Sequence, residues 1–132
     1  MRNFLTLDLV TVDAETGNII LSADRGNSTL AMKREGSYVA ISANHGPVEI
    51  ALRPRYEDLT RALSRLQRVE GLQTTRQVGT GEWTLSLGLQ KDGTLLARPS
   101  IIADATGNIS FNFALAADVT ERLYEWLNLT PR

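Results

Sequence analysis

Gly46-Pro47-Val48-Glu49-Ile50 and Gly107-Asn108-Ile109-Ser110-Phe111 are one pattern met twice, a turn opening into alternating positions, and a helical pattern follows each. Asp58-Leu59-Thr60 with Leu63 beyond it matches Asp118-Val119-Thr120 with Leu123. Upstream, Leu30-Ala31-Met32-Lys33-Arg34-Glu35-Gly36-Ser37 matches Leu87-Gly88-Leu89-Gln90-Lys91-Asp92-Gly93-Thr94, provided a short insertion near Arg98-Pro99 is allowed. Internal repetition of this kind restricts the fold more than any composition does, because each unit must bury the same apolar face. The expectation is a single domain over residues 1–132 made of two repeats, about 1–71 and 72–132. Its class is α+β: antiparallel sheet with two helices, in tandem strand-then-helix repeats related by a pseudo-twofold.

The first half reads as short strands. Phe4 to Val12 is apolar and partly alternating, and Glu15-Thr16-Gly17-Asn18 and Asp24-Arg25-Gly26-Asn27 are turns around a strand from Ile19 to Ala23. Thr29–Arg34 and Tyr38–Ala43 flank a hairpin tip at Glu35-Gly36, and Val48, Ile50 and Leu52 alternate beyond Asn44-His45-Gly46-Pro47. The period then changes. From Pro54 to Glu70, Tyr56, Leu59, Leu63 and Leu66 recur at helical spacing, with Pro54 suited to the first turn, Glu57 and Asp58 favoured there by the helix dipole, and Gly71 a stop.

In the second half Trp83, Leu85, Leu87 and Leu89 alternate with small polar residues, and Asp92-Gly93 is a hairpin signal. Thr94 to Asp104 continues the sheet, with Pro99 implying an edge or a bulge. After a turn at Thr106-Gly107-Asn108, the residues Ile109, Phe111, Phe113 and Leu115 alternate. A helix from about Ala117 to Asn128 turns Val119, Leu123, Trp126 and Leu127 inward. The opposite strand positions, Ala40, Ser42, Ala51, Thr84, Ser86, Gly88, Ser110 and Asn112, are small and uncharged.

A chain of 132 residues buries about two-thirds of its unfolded surface, enough to fold without covalent staples. It has no cysteine, which removes disulfides, thiolate nucleophiles and Cys-ligated metal sites. No run approaches the ~20 apolar residues of a membrane helix. Met1 to Asp8 reads as part of the fold, not as a leader. A cytoplasmic protein without membrane partners is expected. Net charge is −1 and pI about 5.8, so contact with nucleic acid would rest on a local patch, since duplex binders carry a general basic excess.

No catalytic, metal-ligating or cofactor-binding constellation is visible. His45, the single histidine, reads as a solvated loop residue. Asp8, Asp13, Glu15 and Asp24 are spread over strands and turns, and Gly79-Thr80-Gly81-Glu82 lacks the Lys-Ser/Thr of a phosphate loop. Two groups of cations stand out. Lys33 and Arg34 in one half, and Lys91 with Arg98 in the other, sit on corresponding hairpins beside Tyr38 and Trp83, rings able to stack on bases. Arg61, Arg65 and Arg68 share a helix face, able to hold phosphates or an acidic partner or simply to pair with Glu57 and Asp58.

Two sheet-then-helix repeats resemble the Whirly-type architecture of single-stranded-DNA-binding transcriptional regulators. The resemblance spans most of the chain as an order of elements. It implies a non-catalytic protein that lays single strands across sheets and hairpins by basic and aromatic side chains. Lys33, Arg34, Tyr38, Lys91 and Arg98 occupy hairpins of that kind. The Lys-Gly-Lys-Ala signature of plant members is absent, so no residue transfers by motif. The expectation is a single-stranded nucleic-acid-binding regulator that needs no cofactor. The alternative is a protein-interaction or self-assembling module, a homo-oligomer drawn together by the neutral sheet face and by helices of opposite charge, with Arg61, Arg65 and Arg68 facing the partner.

Overall fold

The apolar run at the N-terminus does not form one strand. In the computed structural model, which describes residues 4–24, 26–69, 71–79, 82–104 and 107–129, it breaks at Asp8 into β1 (Leu5–Leu7) and β2 (Leu9–Val12). The two pieces join different sheets. Asp8 makes the break: its N–H donates to the Ser22 carbonyl at 3.0 Å, and its carboxylate accepts the N–H of Asp24 at 2.8 Å.

Sheet I is five-stranded and antiparallel, in the order β2, β3 (Ile19–Ser22), β4 (Ser28–Glu35), β5 (Tyr38–His45), β6 (Val48–Leu52). Helix α1 (Tyr56–Ser64) follows. Sheet II holds β7 (Gln73–Gly79), β8 (Trp83–Leu89) and β9 (Leu95–Asp104), with β10 (Gly107–Ser110) and β11 (Phe113–Leu115) both paired to β9, and helix α2 (Ala117–Trp126) closes the chain. β1 completes sheet II by running parallel to β11, with Leu5 opposite Phe113 and Leu7 opposite Leu115. The class is α+β, two helices with two mostly antiparallel sheets.

Alternation explains the core. Leu30, Met32 and Ile41 from sheet I meet Leu85, Leu87 and Leu115 from sheet II, and Leu59 and Leu63 of α1 and Leu123 of α2 close around them. Each fully buried leucine contributes about 1.5–3 kcal/mol of transfer free energy, offset by the entropy of ordering the chain. Among the described residues no helix is long and apolar enough to cross a membrane.

Several expectations are corrected by tertiary contacts. Helix α1 ends at Ser64, not near Glu70, which lies outside the described residues. Leu66 keeps its helical spacing and is fully buried, but the last turn tightens through Leu66 N–H to Leu63 carbonyl. The chain then extends so that Arg68 bridges Leu89 in parallel and Val69 donates to the Leu89 carbonyl at 3.0 Å. Arg61, Arg65 and Arg68 therefore do not form one helical stripe. Pro54 stands one residue before the N-cap Arg55, its carbonyl accepting from Val39 at 2.9 Å.

Pro99 lies on an interior strand, opposite Leu85 of β8. Its other side falls where the neighbour changes from β11 to β10, and its carbonyl accepts there from Phe111. A residue's N–H and C=O point to the same side of a strand, so the missing N–H faces that break. The run from Ile109 to Leu115 is accordingly two strands, parted at Phe111-Asn112. Gly88 is not on an open face: Gly71 and Leu72 cross directly over it. Arg25, the Thr80-Gly81 pair and Thr106, each assigned above to a turn or connection, lie outside the described residues.

Candidate groove on the outer face of sheet I

Register builds the site. Ile20, Ala31, Ser42 and Ala51 stand side by side across four strands of sheet I, on the face turned from the core. Beside them run Lys33 and Ala40, opposite each other on β4 and β5. Because these side chains are small, they leave a groove of about 500 Å³, within the roughly 300–1,000 Å³ of small-ligand sites. Asn18 and Arg53 stand at its margins and Trp83 of β8 also lines it. Trp83 is half-buried and packs on the core as well.

One end of the groove is cationic. Arg53 Nε lies 3.2 Å and Lys33 Nζ 3.9 Å from the carboxylate of Glu35. The Arg53 guanidinium stands 4.4 Å and that of Arg55 5.6 Å from the centre of the Tyr38 ring, and Tyr38 and Arg55 form an isolated bridge. On the other side of the hairpin Arg34 covers Tyr56 at 3.8 Å and its guanidinium reaches the Gly36 carbonyl. Four cations, Lys33, Arg34, Arg53 and Arg55, thus gather around one carboxylate and two rings.

Away from these cations stands a carboxylate, that of Glu49. The Ser42 hydroxyl donates to the Glu49 carboxylate and accepts from Asn44 Nδ2 at 3.0 Å. On the other face of sheet I, outside the groove, His45 Nδ1 lies 2.8 Å from the buried Ser28 hydroxyl, and its ring meets Phe111 edge-on. This histidine is exposed but is tied into the fold by both contacts. A smaller hollow of about 150 Å³ lies between the β8–β9 turn and α2, lined by Arg68, Asp92 and Glu121 among others.

The chain matches no family model, no curated protein and no solved structure.

The structure brings Lys33 and Tyr38 together on the outer face of sheet I, while Arg34, next in sequence to Lys33, turns to the other side of the hairpin and covers Tyr56. Lys91 is exposed on the β8–β9 turn, where its carbonyl accepts from Arg68. Arg98 sits on β9, half-buried, with Nε donating to the Asn112 side chain. Arg61 pairs with Asp58 at 3.4 Å, one turn away on α1. Sequence reasoning missed Arg53 and Arg55. The available signal was the basic pair flanking Pro54, directly after the alternating strand that ends at Leu52.

Proposed function

We propose that this protein is a non-catalytic binder of single-stranded nucleic acid, with the outer face of sheet I as its contact surface. The observation that carries this reading is the grouping of Lys33, Arg53 and Arg55 with Tyr38 at the mouth of a groove lined by Trp83. Cations that follow a backbone and rings that accept bases are the two components of strand binding that does not read sequence. The order of elements behind the Whirly resemblance, strands and then a helix in each half, supports it further. Local charge takes the place of a basic pI, because the patch holds its excess of cations in a chain of net charge −1.

Fluorescence anisotropy with labelled single-stranded DNA and RNA, against duplex controls at two salt concentrations, tests the reading. Single strands should be preferred, with affinity falling in log–log proportion to salt by about 0.7 for each phosphate contacted. Lys33→Glu with Arg53→Glu should abolish the signal. An absence of binding at tens of micromolar protein overturns the proposal.

A self-assembling module is the second reading, favoured by the edge of sheet I. Strand β2 is Leu-Val-Thr-Val, without the charge, proline or bulge that usually guards an edge. Leu9 and Val12 on it, and Ile20 beside it, are each at least 40% exposed. Sedimentation equilibrium of the whole chain against Leu9→Lys, at an exposed edge position, distinguishes this reading: a dimer that the lysine dissolves supports it, and a concentration-independent monomer removes it.

A further inference from the structure

The groove has two unlike ends and an uncharged floor, and this asymmetry describes its occupant. Lys33 and Arg53 stand at one end, with side chains 58% and 57% exposed. Arg53 gives only Nε to Glu35, and a guanidinium carries five N–H donors, so it has donors left for an anion. An anion that also fills the groove meets an apolar surface, because Ala31, Ala40 and Ala51 floor the space and Trp83 lines it, which suits a flat apolar body. Ser42, the hydroxyl on that floor, has given its only proton to Glu49.

Resting on the nucleic-acid reading, we infer that the groove holds one nucleotide unit: its base lies against Trp83 over the three alanines, and its phosphate takes the donors of Lys33 and Arg53 that Glu35 leaves free. Contact with the floor is through the face of the base, since the alanines carry no polar side-chain atom and the Ser42 hydroxyl already donates to Glu49 and accepts from Asn44. All four nucleotides therefore bind within a few-fold of one another, and the groove sets the grip on a strand without choosing its sequence.

Isothermal titration of the full chain with AMP, UMP, adenosine and ribose 5-phosphate is the test, repeated on Ala40→Leu, which fills the floor, and on Lys33→Gln. Tryptophan fluorescence of Trp126→Phe, which leaves Trp83 as the reporter, gives an independent signal. AMP and UMP should bind alike, with adenosine and ribose 5-phosphate each about tenfold weaker or worse. Ala40→Leu should remove nucleotide binding and weaken a labelled oligonucleotide by about the same factor. If oligonucleotides bind the parent and Ala40→Leu equally while monophosphates fail to bind, the groove proposal is wrong and the strand-binding reading survives. Monophosphate binding without oligonucleotide binding has the reverse meaning. Ribose 5-phosphate binding as tightly as AMP shows a phosphate site without a base and overturns the proposal.

Discussion

The hydroxyl of Tyr56, the first residue of α1, donates to the carbonyl of Leu127 just beyond the end of α2. The reciprocal bond is also present: Tyr124, in the last turn of α2, donates to the Leu63 carbonyl in the last turn of α1 at 3.3 Å. The last carbonyls of a helix lack the usual partner four residues on, so each helix supplies a donor to a carbonyl at the other's end. Tyr56→Phe should lower stability by about 1 kcal/mol, because a buried acceptor loses its donor while the ring stays, and Tyr124→Phe by less, because the Leu63 carbonyl keeps the Leu66 N–H. Urea denaturation with an unchanged slope would show the loss as a shifted midpoint, and the double variant should lose about the sum.

Gly88 is a glycine for lack of space. A Cβ there would lie 2.3 Å from the Gly71 carbonyl oxygen and 3.0 Å from Leu72 Cα. Both are backbone atoms, so the clash cannot be relieved by a rotamer change. Gly88→Ala should therefore destabilise by about 2 kcal/mol or more, in the range of overpacked cores, and hydrogen exchange at residues 71 and 72 should accelerate as that segment is displaced. An alanine variant as stable as the parent would remove this account of the close approach.

The Asp92 carboxyl is held below its ordinary range. The N–H of Thr94 is the main cause, donating at 2.9 Å, followed by the Thr94 hydroxyl, with Arg68 adding a smaller attraction. A lowered folded pKa means that the unfolded chain takes up the proton first as pH falls. The stabilisation is whole above the unfolded value and is lost as pH drops through the folded one. Asp92→Asn should thus be less stable than the parent at neutral pH, and thermal melts of the two should converge as pH falls below the aspartate range.

Glu35 occupies the cations that the proposed strand would use. Exposed ion pairs contribute little to stability, so Glu35→Gln should leave the melting temperature nearly unchanged. It should raise affinity for single strands by about three- to tenfold at low salt and less at high salt, as expected for removal of a like charge near phosphate. Weaker binding by Glu35→Gln would show that Glu35 orders the patch instead of competing for it.

Local pattern made much of this fold legible. Trp83 to Leu89 and Val48 to Leu52 are strands with the bounds their alternation implies, and α2 starts at Ala117 as its helical spacing requires. Asp92-Gly93 turns the chain, with Gly93 at a positive φ of 92°. What stayed illegible depends on partners distant in sequence. Leu66 keeps helical spacing, yet the Leu89 backbone draws the following residues out of the helix. Phe4 to Val12 reads the same whichever sheet receives each piece. Tyr124 is buried because its hydroxyl finds Leu63, and residue spacing carries no information on that acceptor. The groove exists only because register sets Ala31, Ser42 and Ala51 abreast. Lys33, Arg34 and Tyr38 were visible as hairpin residues, whereas their company with Arg53 and Arg55 follows from the pairing of β5 with β6.

The change of sheet at Asp8 bears on the order in which the chain can fold. Strand β1 is synthesised ahead of β2 to β11, yet among the described residues its ladder partner is residues 113–115. β2 to β6 can zip into their meander long before that, each strand meeting the next one made. β1 must wait, extended and unpaired, through the synthesis of most of the second half. Its closure joins the earliest of the described strands to the latest and is among the costliest contacts in loop entropy, so a strand made ahead of its sheet is held among the last to be placed.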